Sequence, residues 1–159
     1  MIMLLLFMLL LAISAVAHAT ALAAIDLPPE PYQEEVIEPW WTEDELHLLA
    51  AVISAEARGE NFDGMLAVGQ VIMNRYESGI WSESLTGTIR AKGQFATPYW
   101  NYGELELEAA RAVLNGERYD ENYTLLYFKV TKSTKSWYCR YAFHVGTHAF
   151  FGHPVEVGE

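Results

Sequence analysis

An unbroken apolar run near the N-terminus limits which part of this 159-residue chain can form a globular fold. Every residue from Ile2 to Ile13 is apolar, and alanines then occupy alternate positions from Ala15 to Ala23. Such a run followed by A-x-A triplets is typical of a secretory signal peptide, here covering residues 1–23. Since no Lys or Arg precedes the run and it continues with few interruptions to Ile25, an uncleaved membrane anchor is the alternative. Both interpretations predict a globular part outside the cytoplasm.

Residues 24–41 form the next segment, in which prolines recur among glutamates. The four prolines are Pro28, Pro29, Pro31 and Pro39. This composition favours an extended, poorly packed spacer. It leaves residues 42–153 for one folded domain and residues 154–159 for a short tail, and a chain of that length can bury one core.

The charge distribution narrows the classes of partner. A formal net charge of -11 argues against nucleic acid, because neutralising phosphates requires a basic surface. No Asp or Glu occurs from Asn122 to Val155, however, and the basic and aromatic residues of that region suit a carbohydrate that carries carboxylates. A sheet with one solvated face explains the same composition equally well. Cys139 is the only cysteine, so the chain cannot form an internal disulfide.

Capping signals and apolar periodicity predict four helices followed by a small sheet. Thr42 with Glu45 forms a capping box, and apolar residues at helical spacing continue towards Gly59. The other predicted elements are helices at Gly64–Ser78, Ser82–Ala91 and Glu104–Asn115, a loop at residues 92–103, and two or three antiparallel strands within Leu125–Val130 and Trp137–Phe151, joined by the polar turn 131–136. The predicted fold class is α+β, mainly helical with a small C-terminal antiparallel β-sheet.

One carboxylate of the first predicted helix faces an unusual direction. At about 100° per residue, Glu56 projects between Leu49 and Val52, at the edge of the apolar stripe. A helix-end glutamate that reaches water or pairs with a cation is one interpretation. The other is functional, because partial burial disfavours the charged form of a carboxyl group and lets it donate a proton near neutral pH, as glycosidic-bond cleavage requires.

Three other residues of the helical part allow simpler predictions. Glu60 follows a glycine and is expected to be solvated or to cap a helix. Arg75 is expected to pack its stem while its guanidinium reaches solvent, with a buried ion pair as the alternative. Gly69, inside the second predicted helix, is tolerable if another helix approaches closely there.

The loop at residues 92–103 suits sugar binding, because aromatic rings stack on the apolar faces of sugars and amides bond to their hydroxyls. Its aromatic residues could equally pin the loop to the core. His144, His148 and His153 follow no familiar zinc-site spacing, so no metal and no cofactor is expected.

Several motifs then occur in a particular order. The first two are SAEARGE at residues 54–60 and AVGQVIMNR at residues 67–75. The later ones are Gly93–Phe95, Ala112–Gly116, Leu126–Phe128, Trp137 and Gly146–Phe151. From about Leu46 to Gly152 the chain thus resembles the SleB-type spore cortex-lytic and cell-wall hydrolase family.

The resemblance implies a lysozyme-like catalytic domain that cuts the MurNAc–GlcNAc bonds of peptidoglycan, usually as a lytic transglycosylase. Glu56 matches the family's catalytic glutamate and would act as general acid and then as base, closing a 1,6-anhydro ring. No convincing second catalytic carboxylate is evident, and this reaction does not need one. The predicted substrate-binding residues are Gln94, Phe95, Tyr127, Trp137 and His148.

Three alternatives stay open at this point. The enzyme could hydrolyse the same bond as a simple muramidase, the domain could bind peptidoglycan without cleaving it, or it could be a metal-dependent amidase. Ala96 stands where the family often has Ser, and Val130-Thr131 stands where it often has Asn-Pro. These differences bear on fine substrate contacts rather than on Glu56.

The expected location is secreted or extracytoplasmic, at the cell wall, with membrane attachment only if the N-terminal segment stays uncleaved. Since no separate peptidoglycan-binding module is recognisable, targeting is expected from the domain itself, the spacer, an anchor or a partner protein. Substrate is expected to approach over the basic, aromatic C-terminal sheet, where Lys132 and Lys135 supply charge. Spore cortex, vegetative wall and the wall of a phage host are all open as targets.

Overall fold

The computed structural model describes residues 38–136 and 139–156. The predicted signal peptide or anchor, most of the spacer and Trp137 lie outside the described residues. From Pro39 onwards the described residues belong to one compact unit. Within that part of the chain, no helix combines the length and apolar character needed to cross a membrane.

Two tryptophans move the start of the folded unit ahead of the predicted boundary. The Trp40 indole N–H donates to the Leu114 carbonyl at 3.0 Å, and its ring stacks on Tyr76. Trp41 is buried, and its indole N–H donates to Asn115 Oδ1 at 3.3 Å. The predicted spacer ran to Trp41, whereas the unit begins at Pro39. Two large rings with partnered N–H groups outweigh the extended preference of one proline.

Local capping explains where the helices begin. The helices are α1 at Glu43–Glu56, α2 at Phe62–Glu77, α3 at Leu85–Arg90 and α4 at Glu104–Leu114. The predicted capping box is confirmed, since Thr42 Oγ1 accepts from the Glu45 N–H at 3.3 Å and Glu45 Oε2 accepts from the Thr42 N–H at 3.0 Å. α2 begins two residues earlier than predicted because Asn61 caps it, and α3 begins three residues later because Ser84 caps it.

The second helix is the central element of the core. Every residue from Gly64 to Arg75 is buried. A Cβ at Gly69 would lie 3.0 Å from Val113 Cγ1 of α4 and 3.3 Å from Ile53 Cδ1 of α1. The predicted close approach at Gly69 is therefore confirmed, and the glycine lets both helices pack directly on α2.

The strands are β1 at Tyr123–Val130, β2 at Arg140–Val145 and β3 at His148–Pro154. The predicted α+β class with a small antiparallel sheet is confirmed. The sheet order is β1-β3-β2, and β3 is antiparallel to both neighbours. The prediction that the turn 131–136 joins antiparallel strands was wrong, because β1 and β2 run parallel to each other on either side of β3. Its first five residues are all buried, so it takes the central position, while β2 turns tightly into it at Gly146.

Candidate active site

Glu56 is the last residue of α1, and its side chain is half-buried. The backbone N–H of Ala96, in the loop that follows α3, donates a hydrogen bond to Glu56 Oε1. The Ala57 N–H makes the last helical hydrogen bond, to the Ile53 carbonyl at 2.7 Å, and the chain then leaves the helix through Gly59, whose φ is +83°. A carboxylate is thus held at a helix end, facing the aromatic loop, at the edge of the core.

Arg75 of α2 holds the same loop in place. Its Nε donates to the Leu126 carbonyl at 2.9 Å, and its Nη1 donates to both the backbone carbonyl and the side-chain oxygen of Gln94 at 3.2 Å. The residue is buried, so the prediction that its guanidinium reaches solvent was wrong. Fixed oxygens from β1 and from the loop replace the water that the head group would otherwise need.

Three rings surround the guanidinium of Arg75. Its central carbon lies 4.7 Å from the ring centre of Phe95, 5.2 Å from that of Tyr127 and 5.4 Å from that of Trp81. Burial lowers the pKa of Arg75, while attraction to Tyr127 and Glu56 acts in the opposite direction. An arginine remains protonated in such a setting, so a fixed positive charge lies within electrostatic reach of Glu56.

Three of the predicted substrate-binding residues meet around Arg75. Gln94 accepts from it, Phe95 and Tyr127 flank it, and Tyr127 is the most exposed of the three. Trp137, the fourth, lies outside the described residues. The arrangement joins α2, β1 and the loop into one surface beside Glu56.

The fifth predicted residue, His148, lies in a different cluster. Its Nδ1 donates to Glu60 Oε1 at 3.1 Å, and its ring meets Phe128 edge-on. Glu60 also accepts from the backbone N–H and the hydroxyl of Thr147. Both the histidine and glutamate side chains are below a tenth exposed, so His148 offers a ligand little surface.

The prediction that Glu60 is solvated or capping was wrong. Its carboxylate fits against Gly146, where any Cβ would overlap it. Burial alone would raise the pKa of Glu60, but hydrogen bonds from Thr147 and His148 outweigh it and hold that pKa below its usual value. Glu60 therefore ties the loop between α1 and α2 to the turn between β2 and β3.

A depression beside Glu56 was missed by the sequence reasoning. It has a volume of about 260 Å³, and we call it the Arg58–Tyr99 depression; it is lined by Ala55, Arg58, Ala96, Thr97 and Tyr99. The Arg58 guanidinium lies 3.8 Å from the centre of the Tyr99 ring, and the Tyr99 N–H donates to the Ala51 carbonyl at 2.8 Å. Helical spacing correctly predicted that Arg58 points away from the apolar stripe, but nothing in the sequence reveals which ring it contacts.

The remaining histidines have separate partners. His144 contacts the Tyr141 hydroxyl and the Thr131 carbonyl, each at 2.8 Å, while His153 lies 3.8 Å from the Cys139 sulfur. Across residues 38–136 and 139–156, no group of three His, Cys, Asp or Glu side chains could hold a metal ion.

These features define a class: a mainly helical α+β domain with a helix-end carboxylate held by a loop amide beside a cationic, aromatic surface. A family model described as cell wall hydrolase matches residues 59–151, which is more than half of the chain. The chain therefore belongs to the cell wall hydrolase family. The matched range includes Glu60 and Arg75 and begins three residues after Glu56.

Two spore cortex-lytic enzymes are similar in sequence. The one from Bacillus subtilis is 31% identical over 105 residues, which are 61% of this chain and 33% of that protein. The one from Oceanobacillus iheyensis is 28% identical over 102 residues, covering 61% and 37%. The chain thus spans about a third of the length of the curated relatives that it matches.

Two solved structures are similar in fold. The catalytic domain of the germination-specific lytic transglycosylase SleB from Bacillus anthracis aligns with a TM-score of 0.62 at 23% identity, covering 72% of this chain and 99% of that domain. The catalytic domain of the Bacillus cereus SleB protein gives the same TM-score and identity, covering 76% and 98%. The domain therefore has the SleB catalytic-domain fold.

Proposed function

We propose that this domain cleaves the glycan strands of peptidoglycan as a lytic transglycosylase, with Glu56 as its catalytic residue. The observation that carries the proposal is the setting of Glu56: its side chain is half-buried and is held through Oε1 by the N–H of Ala96, a residue that lines the Arg58–Tyr99 depression. Membership of the cell wall hydrolase family supports the substrate class, and the germination-specific lytic transglycosylase that shares the fold supports the reaction.

One carboxyl group can carry out both halves of this reaction. In the first half, protonated Glu56 gives its proton to the oxygen that bridges MurNAc and GlcNAc, and the C1–O bond breaks. In the second half, the Glu56 carboxylate takes the proton of the muramic 6-hydroxyl while that oxygen bonds to C1. The product carries a 1,6-anhydro ring, the carboxyl group ends protonated as it began, and no water is consumed.

The Ala96 N–H suits this cycle because it engages only one carboxyl oxygen. A backbone amide stabilises the carboxylate that forms after the first proton transfer. With Oε1 held in this way, Oε2 is left to exchange the proton with the substrate. Glu60, four residues away, already accepts from Thr147 and His148 and does not serve as the second carboxylate of an ordinary glycosidase.

The location and biological setting are part of the same proposal. Peptidoglycan lies outside the cytoplasm, and the apolar segment at residues 1–23 gives the chain a route there as a signal peptide or an anchor. The relatives named as spore cortex-lytic enzymes support a role in sporulation or germination. An accessory partner protein, the spacer or an anchor would target the domain to the wall.

Mass spectrometry of the products released from purified peptidoglycan tests the proposal. The parent protein should release muropeptides ending in 1,6-anhydroMurNAc, whereas Glu56→Gln should release none. Glu108→Gln is the matched control, because it removes an exposed carboxylate from α4, and it should behave as the parent does.

Each alternative leaves a different result in the same experiment. Reducing MurNAc without an anhydro product would replace the lytic reaction by hydrolysis. Free stem peptides whose release stops on chelation would indicate an amidase. Intact sacculi that the protein binds but does not cut would indicate a non-catalytic binding domain.

A further inference from the structure

The Arg58–Tyr99 depression contains a cation that has no acidic partner. Arg58 is exposed, lies two residues after Glu56 at the end of α1, and forms no salt bridge with any carboxylate of the described residues. In a chain with a formal charge of -11, an arginine near the proposed catalytic carboxyl group that pairs with a tyrosine rather than with a carboxylate of the described residues is unusual. Exposed arginines in an acidic protein ordinarily have many candidate partners.

The guanidinium is also held in a defined orientation. It lies 3.8 Å from the centre of the Tyr99 ring, within the range of a cation–π contact. The backbone of Tyr99 is held because its N–H donates to the Ala51 carbonyl of α1, and the Tyr99 side chain is hydrogen-bonded by Asn101 and Arg58. A planar guanidinium stacked on a fixed ring keeps its N–H donors in one plane, and this arrangement matches the two oxygens of a carboxylate.

The other lining residues complete a small anion site with an apolar side. The Thr97 side chain brings a hydroxyl donor, and Ala55 and Ala96 contribute methyl groups. Ala96 is also the residue whose N–H holds Glu56, so the depression adjoins the carboxyl group. In peptidoglycan, every second sugar bears a lactyl group, which joins a methyl group to a carboxylate or to the stem peptide.

We propose that the Arg58–Tyr99 depression binds a carboxylate of the muramic acid side chain, next to the bond at which Glu56 acts. This assignment rests on the proposed function for its choice of substrate. The shared chemistry has two sources, the free lactyl carboxylate of a peptide-free sugar and the carboxylates of an attached stem peptide. Arg58 binds the carboxylate through its N–H donors, and Tyr99 keeps the guanidinium in place.

Equilibrium binding to four strand preparations tests the assignment. The preparations are peptide-free glycan strands with free lactyl carboxylates, the same strands after amidation with methylamine, strands with intact stem peptides, and those strands after amidation. The parent should bind one carboxylate form about fivefold more tightly than its amidated form, the scale of one partly exposed charged contact. Which pair shows the difference identifies the lactyl or the peptide source.

Arg58→Met should remove that preference while leaving binding to the amidated strands unchanged. Arg58→Lys should keep only part of it, since an ammonium neither stacks on Tyr99 nor offers a planar pair of donors. Arg111→Met is the matched control, because Arg111 is also exposed and lies over a ring, that of Trp41, at the other end of α1. It should retain the preference of the parent.

Two results would overturn the assignment. One is equal binding of free and amidated strands by the parent, and the other is an equal loss on both forms in Arg58→Met. Cleavage of the same preparations tests the proposed function separately. If the parent binds free strands preferentially but releases no anhydro product, glycan cleavage fails while the anion site stands.

Discussion

Glu56 and Glu60 are four residues apart in the chain, yet their carboxylates differ sharply in hydrogen bonding and in their surroundings. Glu60 accepts from the Thr147 N–H, the Thr147 hydroxyl and His148, and its carboxylate lies so close to Gly146 that a side chain at position 146 would overlap it. Glu56 accepts from one backbone amide, and the Arg58–Tyr99 depression opens next to it. The Glu60 carboxylate accepts three hydrogen bonds, whereas Glu56 uses only Oε1 to accept one from the described residues.

The comparison separates burial from reactivity. The more buried of the two carboxylates is the less suited to chemistry, because a group that satisfies three donors at a fixed turn cannot exchange its proton without breaking the fold there. A catalytic carboxyl group needs partial burial together with an unengaged oxygen and an approach from solvent. We therefore expect substitutions at the two positions to affect different properties.

The largest expected effect is on the reaction rate of Glu56→Gln. Losing both proton transfers should lower the rate about 10³-fold or more, because a single general acid–base step contributes roughly 10² to 10⁴. The midpoint of thermal unfolding should stay close to that of the parent, since glutamine can still accept from the Ala96 N–H. The rate of sacculus solubilisation and a thermal melt measure the two quantities, and a large fall in stability would assign Glu56 a structural role instead.

Arg75→Met extends the comparison to the loop that holds Glu56. Without the bonds to Leu126 and Gln94, the loop amide loses its fixed position, so kcat should fall about 10- to 100-fold while KM changes less. Arg75→Lys should restore a minority of the activity, because one ammonium cannot reach all three oxygens that the guanidinium holds. Rates are compared per folded molecule, and an unchanged kcat in Arg75→Met would refute a positioning role.

Glu60→Gln should show the converse pattern. An amide cannot accept from all three donors, so the free energy of unfolding should fall by about 1 to 3 kcal/mol, the usual cost of leaving buried polar groups unpaired. Activity per folded molecule should remain close to that of the parent. Urea titration followed by tryptophan fluorescence provides the first measurement, and a selective loss of activity without destabilisation would break the distinction between the two glutamates.

Short-range sequence patterns were enough to predict most of the helical part of the fold. The Thr42–Glu45 capping box, the apolar stripe of α1 and the glycine in α2 are all read within a few residues of one another, and each prediction was confirmed. Caps act on N–H groups two or three positions ahead, so they can be recognised without knowing the tertiary fold. The orientation of Glu56 followed from the same helical periodicity.

Long-range partners account for the errors. Glu60 meets Thr147 and His148 from 87 and 88 positions away, and Arg75 reaches the Leu126 carbonyl 51 positions away. The central place of β3 likewise depends on which strands the helices leave room for. Periodicity describes one face of one element, and it carries no information on which distant carbonyl or turn that face will meet.

The pH dependence of stability provides a finer test of the Glu60 cluster. Folding lowers the pKa of Glu60 from its usual 4.5, so its contribution to stability is complete above that value and is lost as pH falls through the lower, folded pKa. The difference in unfolding free energy between the parent and Glu60→Gln should therefore be largest near neutral pH and should shrink below about pH 4.5. Urea titrations at several pH values measure it, and a difference that grows on acidification would contradict the assigned direction.

The smallest expected effect concerns the basic sheet, which lies apart from both glutamates in sequence. Lys132 and Lys135 are exposed in the segment that links β1 to β2, so reversing both charges should weaken binding to wall sacculi about fivefold at low salt. The difference should vanish near 1 M salt, where the screening length falls to about 3 Å. The same reversal at the exposed Arg90 and Arg111 gives a control of equal net charge. Sedimentation of sacculi measures the bound fraction, and equal losses in the two double variants would mean that overall repulsion, not the sheet, governs the approach of the substrate.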